Sequence, residues 1–310
     1  MKAAFFRQHG GPEVMEYGDY KDPVAGPGQV LVDIYAASVN GADWKVRKGS
    51  YAPIADLPYI PGRDFSGVVS ALATGGEGVT DFKVGDAVFG VCDVGQEQAY
   101  AEKIAIKASI VCKKPANLSH EDCAALALIG LTALCSVEDT LKLKSGETIL
   151  IHGGAGGVAS YAIQLAKHIG ARVITTASAA NHDYLRKLGA DQIIDYNAQD
   201  FTTVVSGVDA VFDTVGGDVT QRSFAVLRAG GRAASIAAGA KAPLSPRADV
   251  QSLRPQVGRD RPHLERIVAL ATSGAVRVPE ITLYQLSQAA EAHRVSEGRH
   301  FRGKLVFKVR

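Results

Sequence analysis

At 310 residues the chain is long enough for two domains of ordinary size. Its 46% apolar and 21% charged residues are those of a globular protein, and a formal net charge of only +2 gives no global reason to expect nucleic acid or a membrane as partner. The four cysteines, Cys92, Cys112, Cys123 and Cys135, form no C-x-x-C and no cluster suited to structural zinc, so idle thiols in a reducing compartment are expected. The apolar part of Met1–Arg7 is too short for a signal peptide and no run is expected to reach membrane-spanning length, which predicts a cytoplasmic protein.

In chain order, residues 1 to about 117 read as short strands punctuated by proline and glycine. Val30–Ala36, Phe65–Val69 and Ala87–Val91 are the clearest, and their close spacing predicts a barrel-like β domain. Ser119 to about Thr140 reads as a helix opened by a cap, Ser119-x-x-Asp122. From Thr148 to about Ala238 strands and helices alternate: Ile149–His152, Arg172–Thr176, Asp191–Asp195, Asp209–Asp213 and Arg232–Ile236 are the strands. That alternation predicts a parallel sheet covered by helices on both faces. Gly239–Arg261 is rich in proline, glycine and arginine and shows no clear period. Beyond it follow a helix over Pro262–Ser273, a strand over Ile281–Leu283, a helix over Gln285–Glu297 and a closing strand over Gly303–Val309.

The most informative stretch is Gly153-Gly154-Ala155-Gly156-Gly157-Val158-Ala159, between a strand and a helical pattern that Gly170 is placed to end. Gly154-x-Gly156-x-x-Ala159 fits the G-x-G-x-x-G/A fingerprint. Its first glycine is expected to permit the tight turn, its second to let backbone approach a pyrophosphate, and its third, small position to let helix pack on strand. N–H groups at the helix start would then face phosphate.

Several further motifs, taken together, resemble the medium-chain dehydrogenases/reductases. They are Ala37–Trp44 (ASVNGADW), Ile60–Gly67 (IPGRDFSG), Val84–Gly90 (VGDAVFG), Gly130–Ala133, the glycine turn, Leu188–Asp191, Asp213–Gly217 and Arg302–Val306, in that order along nearly the whole chain. The resemblance is to the zinc-independent quinone oxidoreductase, or zeta-crystallin-like, branch. It implies a Rossmann NADPH-binding domain over 119–261 and a GroES-like catalytic domain over 1–118 and 262–310. It also implies a homodimer joined through the last strand of the cofactor domain, expected near Val250–Val257, where Pro255 removes a donor. Zinc-dependent relatives carry a cysteine where this chain has Asn40 and a histidine where it has Arg63. An amide and a guanidinium do not replace them as zinc ligands.

No acid follows the second strand before Asp183, and an acid there is what selects NAD, so the sequence favours NADPH. Ser178 is expected to cap the next helix, donate to a phosphate, or both, with Asn181, His182 and Arg186 as nearby donors. The resemblance adds Thr132, Tyr196, Val215 and Ala237 to the cofactor set, and brings Arg299 and Lys304 in as basic residues that reach the cofactor or, alternatively, as solvated charges. Without a metal, hydride transfer needs an intrinsically electrophilic acceptor, which points to quinones or α,β-unsaturated carbonyls. Asn40 is the candidate donor that orients substrate or nicotinamide, and Tyr51 the candidate donor at the substrate mouth. Asp43, Arg63 and Asp64 are expected to form a buried polar network. His152 reads as a satisfied strand-end histidine. Arg247, Arg254, Arg259, Arg261 and Arg266, without interleaved aromatics, read as a solvated face and not as a nucleic-acid patch. A narrow-substrate enoyl reductase and a non-catalytic NADPH-binding protein are the competing readings.

Overall fold

The computed structural model describes residues 1–310 apart from Ala52, Pro53, Ala55, Val94, Ala238 and Ala240. The chain begins with strands β1 (Lys2–Phe5), β2 (Glu16–Asp19) and β3 (Gln29–Ser38), helix α1 (Gly41–Arg47), and strands β4 (Asp64–Leu72), β5 (Ala87–Val91), β6 (Lys103–Lys107) and β7 (Val111–Lys113). Helix α2 (His120–Leu134) follows and continues as a π-helical turn over Cys135–Thr140. Then come β8 (Thr148–His152), α3 (Gly157–Ile169), β9 (Arg172–Ala177), α4 (His182–Lys187), β10 (Gln192–Asp195), α5 (Phe201–Val204), β11 (Val208–Asp213), α6 (Asp218–Ser223), β12 (Leu227–Ser235) and β13 (Gln251–Leu253). The chain closes with α7 (Arg261–Thr272), β14 (Ile281–Gln285), α8 (Ala289–Gly298) and β15 (Lys304–Lys308).

Two compact units result. The first holds Met1–Leu128, Arg259–Thr272 and Val278–Arg310; the second holds Ile129–Gly258 and Ser273–Arg277. The division therefore falls inside α2, ten residues past the 118/119 boundary expected from the sequence.

In the first unit the main sheet runs β14-β15-β3-β4-β5-β7, with β6 added on β3 and β1 paired with β2 separately. Apart from the parallel β14–β15 pair its ladders are antiparallel. Inward positions of these strands (Val30, Val32, Ile34, Phe65, Val88, Ile104, Ile106, Phe307) and Tyr100 form one core. The alternation of buried and half-buried residues along β3 is the period-two pattern that made it legible as a strand.

In the second unit all ladders are parallel and the strand order is β10-β9-β8-β11-β12-β13. Numbered within the unit this is 3-2-1-4-5-6, the Rossmann order, whose switch point lies between β8 and β11. Leu150, Ile174, Val211 and Phe224 belong to its core. Strand β12 begins at Leu227, five residues earlier than expected, and the segment after Gly239 yields the short edge strand β13, which ends before Pro255.

Helix α2 opens with the expected reciprocal cap: Ser119 N donates to Asp122 Oδ2 (2.9 Å) and Asp122 N to Ser119 Oγ (3.0 Å). Contrary to the expectation that no run reaches membrane-spanning length, His120–Thr140 is long and apolar enough, but 78% of its apolar window is buried in protein. Its hydropathy is that of a core helix. Among the arginines expected on a solvated face, Arg247 donates to the Phe224 and Leu227 carbonyls and pairs with Asp249, and Arg254 donates to the Ser235 carbonyl. Arg261 donates to the Ala108 and Val111 carbonyls and pairs with Asp81. These side chains tie loops down, which corrects the solvated-face reading.

The glycine turn is built differently from its expected division of labour. The positive φ that the turn requires is at Gly153 (+75°), not at Gly154. Gly154 is needed for room: a Cβ there would lie 2.3 Å from Thr175 Oγ1 and 3.1 Å from Leu185. Thr175 is fully buried and donates to the Ile151 carbonyl (2.7 Å), so it cannot retreat. Gly154→Ala is expected to cost about 1–3 kcal/mol in urea unfolding, and Thr175→Ala in the same chain to restore part of that loss. Additive effects in the double variant would show that the two positions do not meet.

Candidate functional site

Each unit presents one polar centre, built at strand ends. In the second unit the centre is the C-terminal edge of the sheet at the switch point. Gly156 caps α3 with extended backbone, no side chain caps its first turn, and Gly170 ends it in the left-handed conformation, as expected. The first N–H groups of a helix lack partners inside it; in the turn before α3 the N–H groups of Gly154 and Gly156 donate to the Thr176 (3.0 Å) and Gly153 (2.9 Å) carbonyls. Beside it the Thr214 hydroxyl donates to the His152 carbonyl (2.7 Å). Asp213 accepts from the N–H groups of Val215 (2.8 Å) and Gly216 (3.0 Å), which fixes the loop after β11. Val215 is 43% exposed there, and Ala237 donates its N–H to Ser235 Oγ (3.3 Å) just past β12.

At the end of β9 Ser178 starts a helical turn with its carbonyl, but its hydroxyl caps nothing. The hydroxyl accepts from Asn181 Nδ2 (3.1 Å), and its own proton is left to donate. The cap reading is thereby corrected, and the donor reading keeps its geometry. His182 Nε2 is buried without a partner among the described residues, while Arg186 is exposed and paired with Asp183. Tyr196, 58% exposed, stands past β10. Thr132 lies buried in α2. His152 is buried, bonded to Thr176 Oγ1 (3.1 Å) and Ser223 Oγ (3.0 Å), and set edge-on to Phe201; burial pushes its pKa down to about 4. It is the satisfied structural histidine the sequence suggested.

In the first unit the polar centre lies where β3, β4 and β15 begin or end. Asn40 caps α1, its backbone N–H donating to Asp43 Oδ2 (2.9 Å). Its side-chain amide is fully engaged: Nδ2 donates to Asp64 Oδ1 (3.0 Å) and the Ser38 carbonyl (3.4 Å), and Oδ1 accepts from Lys304 Nζ (2.7 Å). Asn40 therefore positions other groups and has no N–H left for a substrate. Lys304 is neither a solvated charge nor open to a cofactor phosphate at its two bonded positions. It is 3% exposed and also donates to the Val39 carbonyl (2.8 Å). Burial lowers its pKa and Asp64 opposes that shift; for Asp64 burial raises the pKa and Lys304 opposes it. Arg299, in contrast, is exposed over the Trp44 ring at 5.8 Å.

Arg63 joins the expected network and extends it. It pairs with Asp43 (3.8 Å) and with Glu97 (3.0 Å), whose second oxygen accepts from the Tyr59 hydroxyl. Asp43 also accepts from Tyr100 Oη (2.8 Å), and burial pushes its carboxyl up to about 7. Beyond Tyr100 lie His293 (3.4 Å) and the fully buried Arg47, which donates to Glu297 (2.7 Å). Glu97, Tyr59, Tyr100, His293 and Arg47 had no sequence signal, because their partners lie 34 to 250 residues away. Tyr51 is 49% exposed; its ring stacks on the Arg63 guanidinium at 4.7 Å, and its oxygen accepts from Nη1 at 3.5 Å. Its hydroxyl proton remains to be donated.

Two family models match the chain, the alcohol dehydrogenase GroES-like domain over residues 26–169 and zinc-binding dehydrogenase over residues 188–307. Among similar proteins, the quinone oxidoreductase of Pseudomonas aeruginosa is 32% identical over 97% of each chain. The chloroplastic NADPH-dependent alkenal/one oxidoreductase of Arabidopsis thaliana is 32% identical over 99% of this chain and 79% of its own. The solved structure of the quinone oxidoreductase from Coxiella burnetii superposes with a TM-score of 0.90 at 36% identity, covering 100% of this chain and 99% of that one. The metal in the second model's description does not fit the donors at Asn40 and Arg63. Asn40 Oδ1 already holds an ammonium and Arg63 is a second fixed cation, so a divalent ion there would meet like charge.

His152 yields a pH test. The folded chain holds it neutral while the unfolded chain protonates it below about 6.5, so its contribution to stability is complete above that pH and is lost as pH falls toward 4. Asp43, pushed up to about 7, acts in the opposite sense over part of the same range. The comparison is therefore between His152→Gln and the parent: urea midpoints should fall less steeply from pH 7 to 4.5 in the variant. Equal slopes would mean that the histidine is not held neutral.

Proposed function

The chain belongs to the medium-chain dehydrogenase/reductase superfamily, and from that premise we propose that this oxidoreductase uses NADPH to reduce quinones or α,β-unsaturated carbonyl compounds. The observation that carries the reading is the Tyr51–Arg63 pair, a half-exposed phenol with a proton to donate, seated on a fixed guanidinium. A donor of this kind stabilises negative charge that develops on a carbonyl or quinone oxygen, without a Lewis acid.

When bound, NADPH supplies a hydride from C4 of its nicotinamide. The remaining tasks fall to the chain. The first turn of α3 and the glycines before it receive the pyrophosphate, with Thr132, Tyr196, Val215 and Ala237 placed along the cofactor. Ser178, Asn181 and His182 receive the 2′-phosphate, at a strand end that has no carboxylate to repel it. Tyr51 donates a hydrogen bond to the acceptor oxygen. Asn40 and Lys304 act as positioning residues, holding the start of α1 and, through Asp43, the orientation of Arg63. Arg299 is the one exposed cation of the proposed cofactor set.

Purified protein treated with a chelator is expected to oxidise NADPH with a benzoquinone or an acyclic enone, and to leave a simple alcohol with oxidised cofactor untouched. Loss of turnover on metal removal would overturn the reading. Tyr51→Phe should lower kcat by about 100-fold with a much smaller change in KM for NADPH; an unchanged kcat would remove Tyr51 from the reaction. Ser178→Asp places a carboxylate at the end of β9 and should lower the NADPH-to-NADH preference by about tenfold or more, read as a ratio of kcat/KM values. A preference that does not move would place the 2′-phosphate elsewhere.

A further inference from the structure

In the second unit a cleft of about 310 Å³ opens between the C-terminal half of α3, the end of α4 with the turn after it, and the segment Ser273–Arg277. Four of the side chains that line it are basic, Lys167, His168, Lys187 and Arg277; among the described residues no Asp or Glu, and no Phe, Tyr or Trp, lines it. The backbone that carries these side chains is fixed. Gln164, buried in α3, accepts from Arg277 N (2.9 Å) and donates to the Arg277 carbonyl (3.4 Å), so the guanidinium stem leaves from an anchored residue. Gly189 takes a φ of +95° and leaves room for Lys167: a Cβ there would lie 3.1 Å from Lys167 Cγ.

Charge in this cleft is left over. Lys167 is matched, with Asp191 at 2.8 Å and the Ala171 carbonyl at 3.1 Å. Lys187, His168 and Arg277 are exposed, and among the described residues none of their side chains makes an ion pair or a hydrogen bond. Helix ends account for part of the pattern, because Lys167, His168 and Lys187 stand in last turns, where cations complement the helix dipole. They do not account for Arg277, which belongs to no helix and brings its charge to the same cleft. A cleft lined by charge of one sign focuses its field on counter-ions.

We propose that this cleft binds a small polyphosphate, a di- or triphosphate group held by Lys187 and Arg277 with His168 as a further donor. Two unmatched cations call for a ligand with more than one negative charge, and a guanidinium fork beside an ammonium suits the oxygens of linked phosphates. A lining without Phe, Tyr or Trp offers no platform on which successive bases stack, which favours a small molecule over single-stranded nucleic acid. The site is separate from the proposed cofactor turn: along α3, Lys167 lies about 15 Å from Gly157.

The full chain is saturated with NADPH, to occupy the proposed cofactor turn, and tripolyphosphate is titrated into it by calorimetry at low salt. Binding to a single site is expected. Lys187→Gln and Arg277→Gln should each weaken it about tenfold, as for one charge-assisted hydrogen bond, and added salt should weaken it further. Both variants should keep the parent's NADPH affinity and urea midpoint, since the two side chains make no bond within the fold. No binding to the saturated parent chain would overturn the proposal, as would binding that the double variant leaves unchanged. ATP carries the same chemistry: an affinity no tighter than that of tripolyphosphate assigns the free anion, and a tighter one that still requires Arg277 assigns a nucleotide. A single-stranded oligonucleotide bound more tightly than either through the same two residues would overturn the small-molecule site in favour of nucleic acid. Where the chain fails to bind NADPH, which counts against the proposed function alone, the difference in tripolyphosphate affinity between the parent and the double variant still decides the cleft.

Discussion

A lysine ammonium buried in protein must be matched, or it costs several kcal/mol and loses its proton. Lys304 opens β15 with its side chain turned inward, and the first unit is arranged to meet that requirement. Its Nζ reaches the Val39 carbonyl and Asn40 Oδ1; the Asn40 amide passes the interaction to Asp64, which also accepts from Ser38 Oγ (2.7 Å) and, on its other oxygen, from Leu128 N (3.3 Å). The end of β3, the start of β4, the start of β15 and the middle of α2 are thereby fixed to one another by polar atoms with few bonds left to exchange. The cap of α1 belongs to the same assembly, and through Asp43 it reaches Arg63. The position of the Tyr51–Arg63 pair is in this sense a consequence of how a buried ammonium is satisfied at the opposite end of the sequence.

The second unit depends on a steric constraint rather than a charge. The hydroxyls of Thr175 and Thr214 fill the space around Gly154 and Gly153, and each donates to a carbonyl of the β8 segment. Polar atoms packed this close leave no volume for a side chain at Gly153 or Gly154. His152 completes the arrangement by joining β8 to Thr176 on β9 and Ser223 on α6. Neutrality is what lets the imidazole serve as both donor and acceptor there.

Much of this was legible in the sequence where a local pattern carries it. The period-two runs of β3, β4 and β5, the cap at Ser119, the glycine turn and the alternation of strands and helices report on neighbours in sequence, and the fold follows them. The glycine turn was legible as the link between β8 and α3, but not in its division of roles. Which glycine takes the positive φ and which makes room depends on Thr175 and Thr214, 21 and 61 residues further on. The same limit applies to Lys304, Glu97 and Tyr59, whose partners are set by tertiary packing. A run of arginines looks alike in sequence whether each is solvated, as expected, or bonded to carbonyls, as Arg247, Arg254 and Arg261 are.

Two tyrosines meet the Arg63 network, and the network assigns them different capacities. Tyr59 spends its hydroxyl proton on Glu97; burial and that carboxylate raise its pKa far above the ordinary phenol range, so the proton is held fast. Glu97 is in turn saturated, with one oxygen on Tyr59 and the other on Arg63. The Arg63 guanidinium is thus paired with Glu97 and lies over the Tyr51 ring, its Nη1 donating to the Tyr51 oxygen, while Nε and Nη2 make no hydrogen bond among the described residues. A phenol that accepts from a guanidinium is the better donor through its own hydrogen, because the N–H contact draws charge from its oxygen. On the proposed function, a fixed cation acting through a tyrosine would supply the electrophilic assistance, and assistance of that kind would suffice only for acceptors whose own conjugation disperses the incoming charge.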